Sequence, residues 1–415
     1  MTPAESSGAD HVARIAPISV APAYRPDWFQ SNAGTHVPLP PAAVAAGRES
    51  LPGEPVVWAD TGLGRLTLIS VDAGEPHIRF EWSRWERYVL GEHYRTLARP
   101  LYTRLPFHYH RVPGVIRRAV AGRLLADQAP AGERGRRFPG FPIEQGFELL
   151  AHVWSRVSAD AAPASEGPDA PRTAPPVTLT HDIDTGHGFS WVRRTAELEL
   201  AHGFRSVWHV VGRGDPLDYA VLDWLVTQGC TIGLHGYNHD NKLAFLPADR
   251  IRRRLDACRP LIERYDIQCF RSPSWLRSDM LFEVLAEYMR VDYSRLDTDR
   301  SCPGGVGGCL WTKPFSVGGL THIPTTVPFE DPLYWGCEPE QLVDFWRPKL
   351  AWLRGCGGGT VVNTHPEPQF SGNARMLGAY DQLLDVLASA SSSSGRSSPG
   401  ASRPAPLAGF GRSGV

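Results

Sequence analysis

The sequence predicts an α/β fold in which parallel strands form a barrel or a near-barrel. Within residues 177–388, short apolar runs alternate with amphipathic stretches such as SDMLFEVLAEYMR and QLVDFWRPKLAWLRG. Strands that alternate with helices are typical of βα units around a parallel sheet. The apolar runs number seven and read VTLTH, SVWHVVG, CTIGLHG, QCFRSPS, RVDYSR, THIPTTV and GTVVNTH. A second observation is that polar residues follow these runs, as they do at the C-terminal face of a βα barrel.

The segments outside the predicted barrel differ from it in composition. Residues 1–52 are rich in Pro, Ala and Gly and are predicted to form an extended arm. Residues 53–157 combine strand-like runs separated by Gly turns with helical patterns such as IEQGFELLAHVW, which predicts an α+β accessory region. Residues 158–176 have the composition of a linker or a surface loop, and the low-complexity tail 389–415 is predicted to be disordered.

Composition limits the classes of function. The 415-residue chain is 42% hydrophobic and 21% charged, which is typical of a globular protein. Its formal net charge is -1, so no basic field predicts nucleic acid or an anionic membrane as a partner. We find neither an apolar run long enough for a membrane span nor a secretory signal, and we therefore expect a cytoplasmic protein. The seven cysteines form no CxxC pair, which favours free thiols in a reducing compartment.

Two aspartates follow the first predicted strand. Asp182 and Asp184 point roughly the same way if the strand continues that far, because strand residues i and i+2 share a face. Burial of two neighbouring carboxylates is costly unless a metal ion, an arginine or water compensates. Other polar or aromatic residues also lie at or near strand ends and are expected on the same face: His235, His239, Arg271, Trp275, Asp292 and His365.

The pair His235 and His239 is a candidate for metal binding. On a helix or a tight turn, a spacing of four residues points both imidazoles at one ion. With one carboxylate they form a His/His/Asp set, which leaves a position for water, as a catalytic zinc requires. The HxxxH pattern alone is common by chance, and it gains weight from the two aspartates at another strand end.

Taken together, these residues resemble the motifs of the NodB-homology polysaccharide deacetylases, which are carbohydrate esterase family four. The first motif reads THDID (180–184), the second HGYNH (235–239) and the third RSPSW (271–275). Asp292 matches the fourth motif loosely, and NTH (363–365) takes the place of the fifth. The resemblance covers about half of the chain, and the T-H-D-x-D form looks like a divergent branch of the superfamily.

The resemblance implies a distorted (β/α)7 barrel, here with an N-terminal α+β extension, and a divalent metal ion, commonly zinc. We assign Asp184, His235 and His239 as metal ligands, Asp182 as the general base and His365 as the general acid. In the family, the metal-binding aspartate directly follows the base. Here Ile183 takes that place, so the roles of the two aspartates could be exchanged.

Four further residues receive predicted roles. Arg271 is expected to pair with Asp182 and hold it ionised, or to be a structural ion pair. Asp292 is expected to orient His365 or raise its pKa, or else to cap a turn. Trp275 and Tyr237 are assigned to substrate binding, although Trp275 is equally suited to core packing.

The leading hypothesis is a metal-dependent hydrolase of C–N bonds that deacylates an N-acylated sugar or glycoconjugate. The first alternative is hydrolysis of a cyclic amide, as in proteins similar to allantoinase, with the same metal and base. The second alternative is a non-catalytic protein that keeps the barrel as a carbohydrate-binding scaffold. The substrate is expected to be a carbohydrate or another small molecule with an amide bond, and the oligomeric state is not predicted.

Overall fold

The described part of the chain forms two β-sheets, one of five strands and one of nine. The computed structural model describes residues 14–39, 44, 50–62, 64–95, 99–100, 103, 140–158, 177–298 and 307–392. Most of the predicted linker 158–176 and tail 389–415, together with Cys302, lies outside the described residues. The described cysteines are free thiols. None of the helices in the described ranges has the length and hydropathy that a membrane span requires.

The five-stranded sheet is antiparallel throughout and has the strand order β2-β1-β3-β4-β5. Its strands are β1 (Arg14–Val20), β2 (His36–Leu39), β3 (Glu54–Asp60), β4 (Arg65–Asp72) and β5 (Glu75–Ile78). Side chains alternate between buried and more exposed positions along β1 and over much of β4, so that one set contributes to a hydrophobic core. This alternation is the period that a half-buried strand requires.

Residues 14–39 differ from the extended arm predicted for residues 1–52, because they supply β1 and β2 to this sheet. Ile18 and Val20 are buried in the core, and Pro17 between the alternating positions obscures the strand pattern in the sequence. Pro17 lies in the half of β1 that pairs only with β2. A proline is tolerated in such an edge position because no second strand needs its missing N–H.

Two helices, α1 (Trp82–Leu90) and α2 (Gly146–Val157), pack against this sheet. The carboxylate of Glu81 caps α1 by accepting the backbone N–H of Arg84 at 2.8 Å. The indole N–H of Trp85 donates to the carbonyl oxygen of Pro38 at 2.8 Å, which ties α1 to β2. The Trp85 and Phe147 rings lie 5.0 Å apart, so both helices contribute to one aromatic core.

The second sheet and its helices occupy the region predicted to form a barrel. Its elements up to β10 are β6 (Val177–Ile183), α3 (Phe189–Ala201), β7 (Ser206–Val210), α4 (Tyr219–Thr227), β8 (Thr231–Leu234), α5 (Ala248–Ala257), α6 (Arg259–Tyr265), β9 (Cys269–Phe270), α7 (Asp279–Leu285) and β10 (Val291–Asp292). The remaining elements are β11 (Phe315–Val317), β12 (Leu320–His322), β13 (Val327–Pro328), α8 (Leu342–Cys356), β14 (Thr360–Thr364) and α9 (Ala374–Ser392).

Seven parallel strand positions close this sheet into a barrel. Strands β6 to β10 pair in chain order, and β14 pairs with β6 on the other side. The segment from β12 to β13 supplies the seventh position, because β12 pairs with β10 and β13 pairs with β14. Two residues between β12 and β13 continue the pairing on both sides. Thr325 forms a parallel bridge with Leu296, which follows β10, and the N–H of Thr326 donates to the carbonyl of Val361 on β14 at 3.1 Å. The predicted (β/α)7 barrel is confirmed, and its distortion lies in this divided seventh strand.

The N-terminal region is joined to the barrel by a buried cluster of charges, which we call the Glu92 cluster. It consists of Glu92, Arg95, Arg277 and Arg295. Glu92 follows α1, whereas Arg277 and Arg295 belong to the barrel. The side chains of these three residues are at most 2% exposed. The guanidinium of Arg277 also donates to the carbonyl of Trp275 at 2.8 Å. The N-terminal region therefore contacts the loop that follows β9.

Candidate metal centre and active site

Three donor side chains converge at the C-terminal face of the barrel. Asp184 follows β6, and His235 and His239 lie in the loop after β8. The Nε2 atoms of His235 and His239 lie 3.2 and 3.1 Å from Asp184 Oδ1. One donor atom from each of the three residues lies within 4.8 Å of the other two. The structure therefore brings together the three residues that the sequence analysis assigns as metal ligands.

The loop after β8 has a backbone that suits this convergence. Gly236 has a φ of +71°, and a Cβ atom there would lie 2.8 Å from the ring of Pro273. A side chain at this position is therefore disfavoured both by conformation and by contact with the third motif. His239 also has a positive φ, of 53°. Backbone strain of this kind in a non-glycine residue is typical of functional sites.

The three donors fit a divalent cation such as zinc. The Nδ1–H of His235 donates to the carbonyl oxygen of Arg271, which can only accept, at 3.0 Å, and Nε2 on the other side of the ring faces Asp184. Asp184 Oδ1 is buried, and no group in the described part of the chain donates a hydrogen bond to it. A buried, unsatisfied carboxylate oxygen facing two imidazoles is costly without a cation. One carboxylate and two imidazoles are ligands of catalytic zinc sites.

Asp182 is adjacent to this centre and is paired with Arg271. An Arg271 Nη1 to Asp182 Oδ1 distance of 3.0 Å joins them, and both side chains are buried. The Asn363 amide donates to Asp182 Oδ2 at 3.2 Å and accepts from Arg271. Burial opposes ionisation, but Arg271, with His235 and His209, holds the pKa of Asp182 well below its usual range. The predicted pairing of Arg271 with Asp182 is present, and it keeps this carboxylate ionised.

His365 follows β14 and reaches the same centre. Its Nε2 lies 3.8 Å from Asp182 Oδ2, and its Nδ1 lies 2.7 Å from Glu330 Oε2. The backbone N–H of His365 also donates to Glu330 at 2.8 Å. Burial lowers the pKa of His365, but Glu330, together with Asp184 and Asp182, outweighs it and raises this pKa to about 10. His365 is therefore held as an imidazolium with one edge towards Asp182.

The structure does not place Asp292 beside His365, but it agrees with the alternative of turn capping, because the backbone N–H of Ser294 donates to Asp292 Oδ1 at 3.1 Å. Asp292 lies on β10, where its carboxylate contacts His322 Nδ1 at 2.9 Å and the hydroxyl of Ser294 at 2.5 Å. Glu330, which follows β13, occupies the position beside His365 that was assigned to Asp292. The reason is topological, because the divided strand β12–β13 lies between β10 and β14, the strand that His365 follows. No motif marks Glu330, but it follows an apolar strand, as the other site residues do.

The two residues assigned to substrate binding lie close to the centre. Trp275 is 3% exposed, and the guanidinium of Arg271 lies 5.0 Å from the centre of its ring. Tyr237, which lies between His235 and His239 in the sequence, is half-buried, and Arg254 lies 5.1 Å from its ring centre. The Trp275 ring therefore packs against the guanidinium of Arg271, which pairs with Asp182. The substrate contacts of both aromatic residues stay a prediction.

A histidine that the sequence analysis did not select also lies beneath the site. His209 on β7 is fully buried, and its Nδ1 is 3.4 Å from Asp182 Oδ1. A Cβ atom at Gly233 on β8 would lie 2.4 Å from this ring, so the glycine makes room for it. Burial, followed by the positive charge of Arg271, lowers the pKa of His209 to about 4. His209 is therefore a neutral neighbour of Asp182.

Comparison with known proteins gives partial matches to solved structures alone. No family model matches the chain, and no curated protein matches it. A protein from Mycobacterium smegmatis assigned to the polysaccharide deacetylases has a TM-score of 0.43 and 19% identity over 54% of this chain and 86% of that chain. A family 4 carbohydrate esterase from Streptomyces lividans has a TM-score of 0.35 and 16% identity over 52% of this chain and 88% of that chain. A CE4 family pseudoenzyme from Bacillus anthracis has a TM-score of 0.36 and 18% identity over 52% of this chain and 62% of that chain.

Proposed function

We propose that the protein is a metal-dependent hydrolase of amide C–N bonds that deacylates an N-acylated sugar or glycoconjugate. One observation carries this proposal: the donor set of Asp184, His235 and His239 lies beside the Asp182–Arg271 pair and the His365–Glu330 pair. Metal-assisted amide hydrolysis needs a cation site, a carboxylate base and an acid for the leaving amine. The protein has a candidate for each of these groups at one barrel face.

Asp184, His235 and His239 would hold the cation, and zinc is the first candidate because of this ligand chemistry. When bound, such a cation polarises an amide carbonyl and lowers the pKa of water towards about 7. The three side chains come from two strand ends of a closed barrel, so their positions are fixed by the fold. Preorganised ligands of this kind need little rearrangement during a reaction.

Asp182 would accept the proton of the attacking water. Water adds to the amide carbonyl carbon, and its proton passes to Asp182. Arg271 and Asn363 each bond one of the carboxylate oxygens and so fix its orientation. The low pKa of Asp182 keeps the base ionised at neutral pH.

His365 would donate a proton to the leaving nitrogen as the C–N bond breaks. An amine leaves poorly unless it is protonated, so this reaction needs an acid that stays charged near neutral pH. The Glu330 carboxylate, 2.7 Å from Nδ1, stabilises the imidazolium form. The products are a carboxylic acid and an amine.

The choice of an N-acylated sugar as substrate is supported by the resemblance of five motifs in order. The acyl group is not assigned, because Asn363 and Thr364 stand before His365 where the family often has a leucine. The Asn363 side chain is bonded to both Arg271 and Asp182. It therefore contributes to holding the base and is not an apolar wall for an acetyl methyl group.

A substrate panel tests this proposal. Zinc-loaded protein is incubated with N-acetyl and longer-chain N-acyl hexosamines, their oligosaccharides and cyclic amides, and released amine is measured. The matched control is Asp182→Asn. Amine release from acylated sugars by the wild type, and not by the variant, would support the proposal. Turnover of cyclic amides alone would favour the alternative hydrolase, and sugar binding without turnover would favour a carbohydrate-binding scaffold.

A further inference from the structure

A buried glutamate contacts the backbone of the candidate metal ligand Asp184. Glu367 lies two residues after His365 and is 1% exposed. Its Oε1 accepts the backbone N–H of Asp184 at 2.8 Å and that of Thr185 at 3.0 Å. Two consecutive N–H groups that bond one oxygen fix the two peptide planes on either side of the Asp184 Cα. The carboxylate is therefore placed to set the direction in which the Asp184 side chain leaves the backbone.

A glycine opposite this carboxylate makes the contact possible. A Cβ atom at Gly188 would lie 2.8 Å from Glu367 Oε1 and 3.2 Å from its Cδ. Gly188 has a φ of -59° and a ψ of -34°, so its backbone does not require glycine. The missing side chain is needed for space. The loop after β6 and the loop after β14 therefore pack together through the close contact of Gly188 with Glu367.

The second oxygen of Glu367 shows that this carboxylate is not there for stability alone. Oε2 is buried, and it has no hydrogen-bond partner within the described ranges. Burial, followed by the nearby charge of Asp184, raises the pKa of Glu367 well above its usual range, although His365 opposes this shift. A buried acceptor without a partner destabilises the folded state, and an apolar side chain of similar length would avoid this cost. A glutamate here is better explained by what its first oxygen does to the loop after β6.

We propose that Glu367 is a positioning residue that orients Asp184 for cation binding by accepting the N–H groups of Asp184 and Thr185. This inference rests on the proposed function, since it takes Asp184 as a metal ligand. Loss of a group that orients a metal ligand typically weakens metal binding by about 10- to 100-fold. Glu367 acts through the backbone and is not itself within the donor set.

Zinc affinity is the first measurement, by competition with a chromophoric chelator, for wild type, Glu367→Gln and Glu367→Met. Gln keeps an oxygen that accepts both N–H groups, whereas Met keeps only the length of the side chain. We expect Glu367→Gln to bind zinc within about threefold of the wild type and Glu367→Met to bind about 10- to 100-fold more weakly. Equal affinity of Glu367→Met and wild type would overturn the inference. Equal weakening in both variants would also overturn it, because charge would then be responsible.

Gly188→Ala tests the same contact if Glu367→Met does not fold. It leaves every polar group in place and pushes the carboxylate away from the two N–H groups, so weaker zinc binding is expected and unchanged binding would contradict the inference. Hydrogen exchange of the Asp184 and Thr185 amides in metal-free protein gives an independent readout. These amides should exchange slowly in the wild type and Glu367→Gln, and faster in Gly188→Ala; unchanged exchange would reject the positioning role. A wild type that binds no zinc would instead reject the proposed function.

Discussion

The candidate metal centre and the Glu92 cluster are both built around buried carboxylates, but they satisfy them differently. Each Glu92 oxygen accepts two guanidinium N–H groups, Oε1 at 2.9 and 3.0 Å and Oε2 at 2.5 Å in both cases. Asp184 Oδ1 faces the imidazoles of His235 and His239, and among the described residues no group donates a hydrogen bond to it. The Glu92 carboxylate has all the donors it can use, whereas the Asp184 carboxylate retains acceptor capacity.

This difference separates a structural charge cluster from a functional one. A buried carboxylate with saturated hydrogen bonds holds its neighbours in place and has no capacity for a ligand. The Glu92 cluster connects α1 to the loop that follows β9, so it joins the N-terminal region to the barrel. An unsatisfied carboxylate at a barrel mouth is costly unless a ligand completes it. Substitutions in the two clusters should therefore affect different properties.

The largest expected effect is on catalysis. Asp182→Asn removes the proposed base while keeping the shape of the side chain. We expect kcat/KM for an amide substrate to fall by about 10²- to 10⁴-fold, because general base catalysis contributes this much. Zinc content should stay near that of the wild type, since Asp182 is not a ligand in this account. Wild-type activity in the variant would exclude Asp182 as the base.

The next effect is on stability and belongs to the Glu92 cluster. Glu92→Gln leaves three buried arginines without their carboxylate, and breaking a buried ion pair costs about 3–5 kcal/mol. Urea denaturation should show a lower free energy of unfolding by about this amount, with zinc affinity of the folded variant unchanged. A loss of zinc binding without a loss of stability would reverse the comparison.

Acid should act on the same cluster. Burial raises the pKa of Glu92, but Arg277, Arg95 and Arg295 outweigh it and hold this pKa far below its usual range. The stabilisation is then complete above the unfolded pKa of about 4.3 and is lost as pH falls towards the folded value. Between about pH 5 and pH 3, unfolding free energy should therefore fall more steeply in the wild type than in Glu92→Gln. Parallel curves would argue against this account of the Glu92 cluster.

A shift in the pH profile is expected for Glu330→Gln. Glu330 raises the pKa of His365, which is about 10, and an acid works only below its pKa. Removal of this carboxylate should move the alkaline limb of kcat/KM to lower pH by about 1 to 3 units. The matched control is Asp292→Asn, which should leave this limb in place because Asp292 contacts His322 and not His365. A shift in the control alone would restore the role first predicted for Asp292.

The smallest effect is expected at an exposed ion pair. Arg375 pairs with Glu338 and Glu340 at 2.8 and 2.7 Å, and all three side chains are more than half exposed. Exposed pairs are weakened by solvent and by salt. Arg375→Ala should therefore leave Tm unchanged within error at 0.15 M salt, in contrast to Glu92→Gln. A comparable loss of Tm would mean that burial does not distinguish these clusters.

The strand pattern and the positions of polar residues at strand ends were sufficient to predict the barrel and most of its site. The convergence of Asp184, His235 and His239 and the pairing of Arg271 with Asp182 follow from parallel strands that end on one face. The two-strand contribution of residues 14–39 was missed because Pro17 and the surrounding composition mask the alternation. Hydrogen bonding to β2 and β3, which decides that those residues form strands, is a long-range property.

Glu330, Glu367 and Asp292 show what the sequence pattern could not decide. Glu330 follows β13, so the strand-end rule could have selected it, but it lies in no motif. Glu367 acts on the backbone of a residue that is distant in sequence, and the only local signal is the small side chain of Gly188. Asp292 was assigned to His365 because it lies at a strand end, and the divided seventh strand places Glu330 there instead.

Metal content is the most direct test of the central claim that Asp184, His235 and His239 form a cation site. Elemental mass spectrometry would be applied to purified wild type, Asp182→Ala, Asp184→Ala and His239→Ala after reconstitution with zinc. We expect about one zinc per chain in the wild type and in Asp182→Ala, and a loss in the other two variants. Zinc kept in Asp184→Ala and lost in Asp182→Ala would exchange the two aspartates. No bound metal in the wild type under any reconstitution would contradict the account.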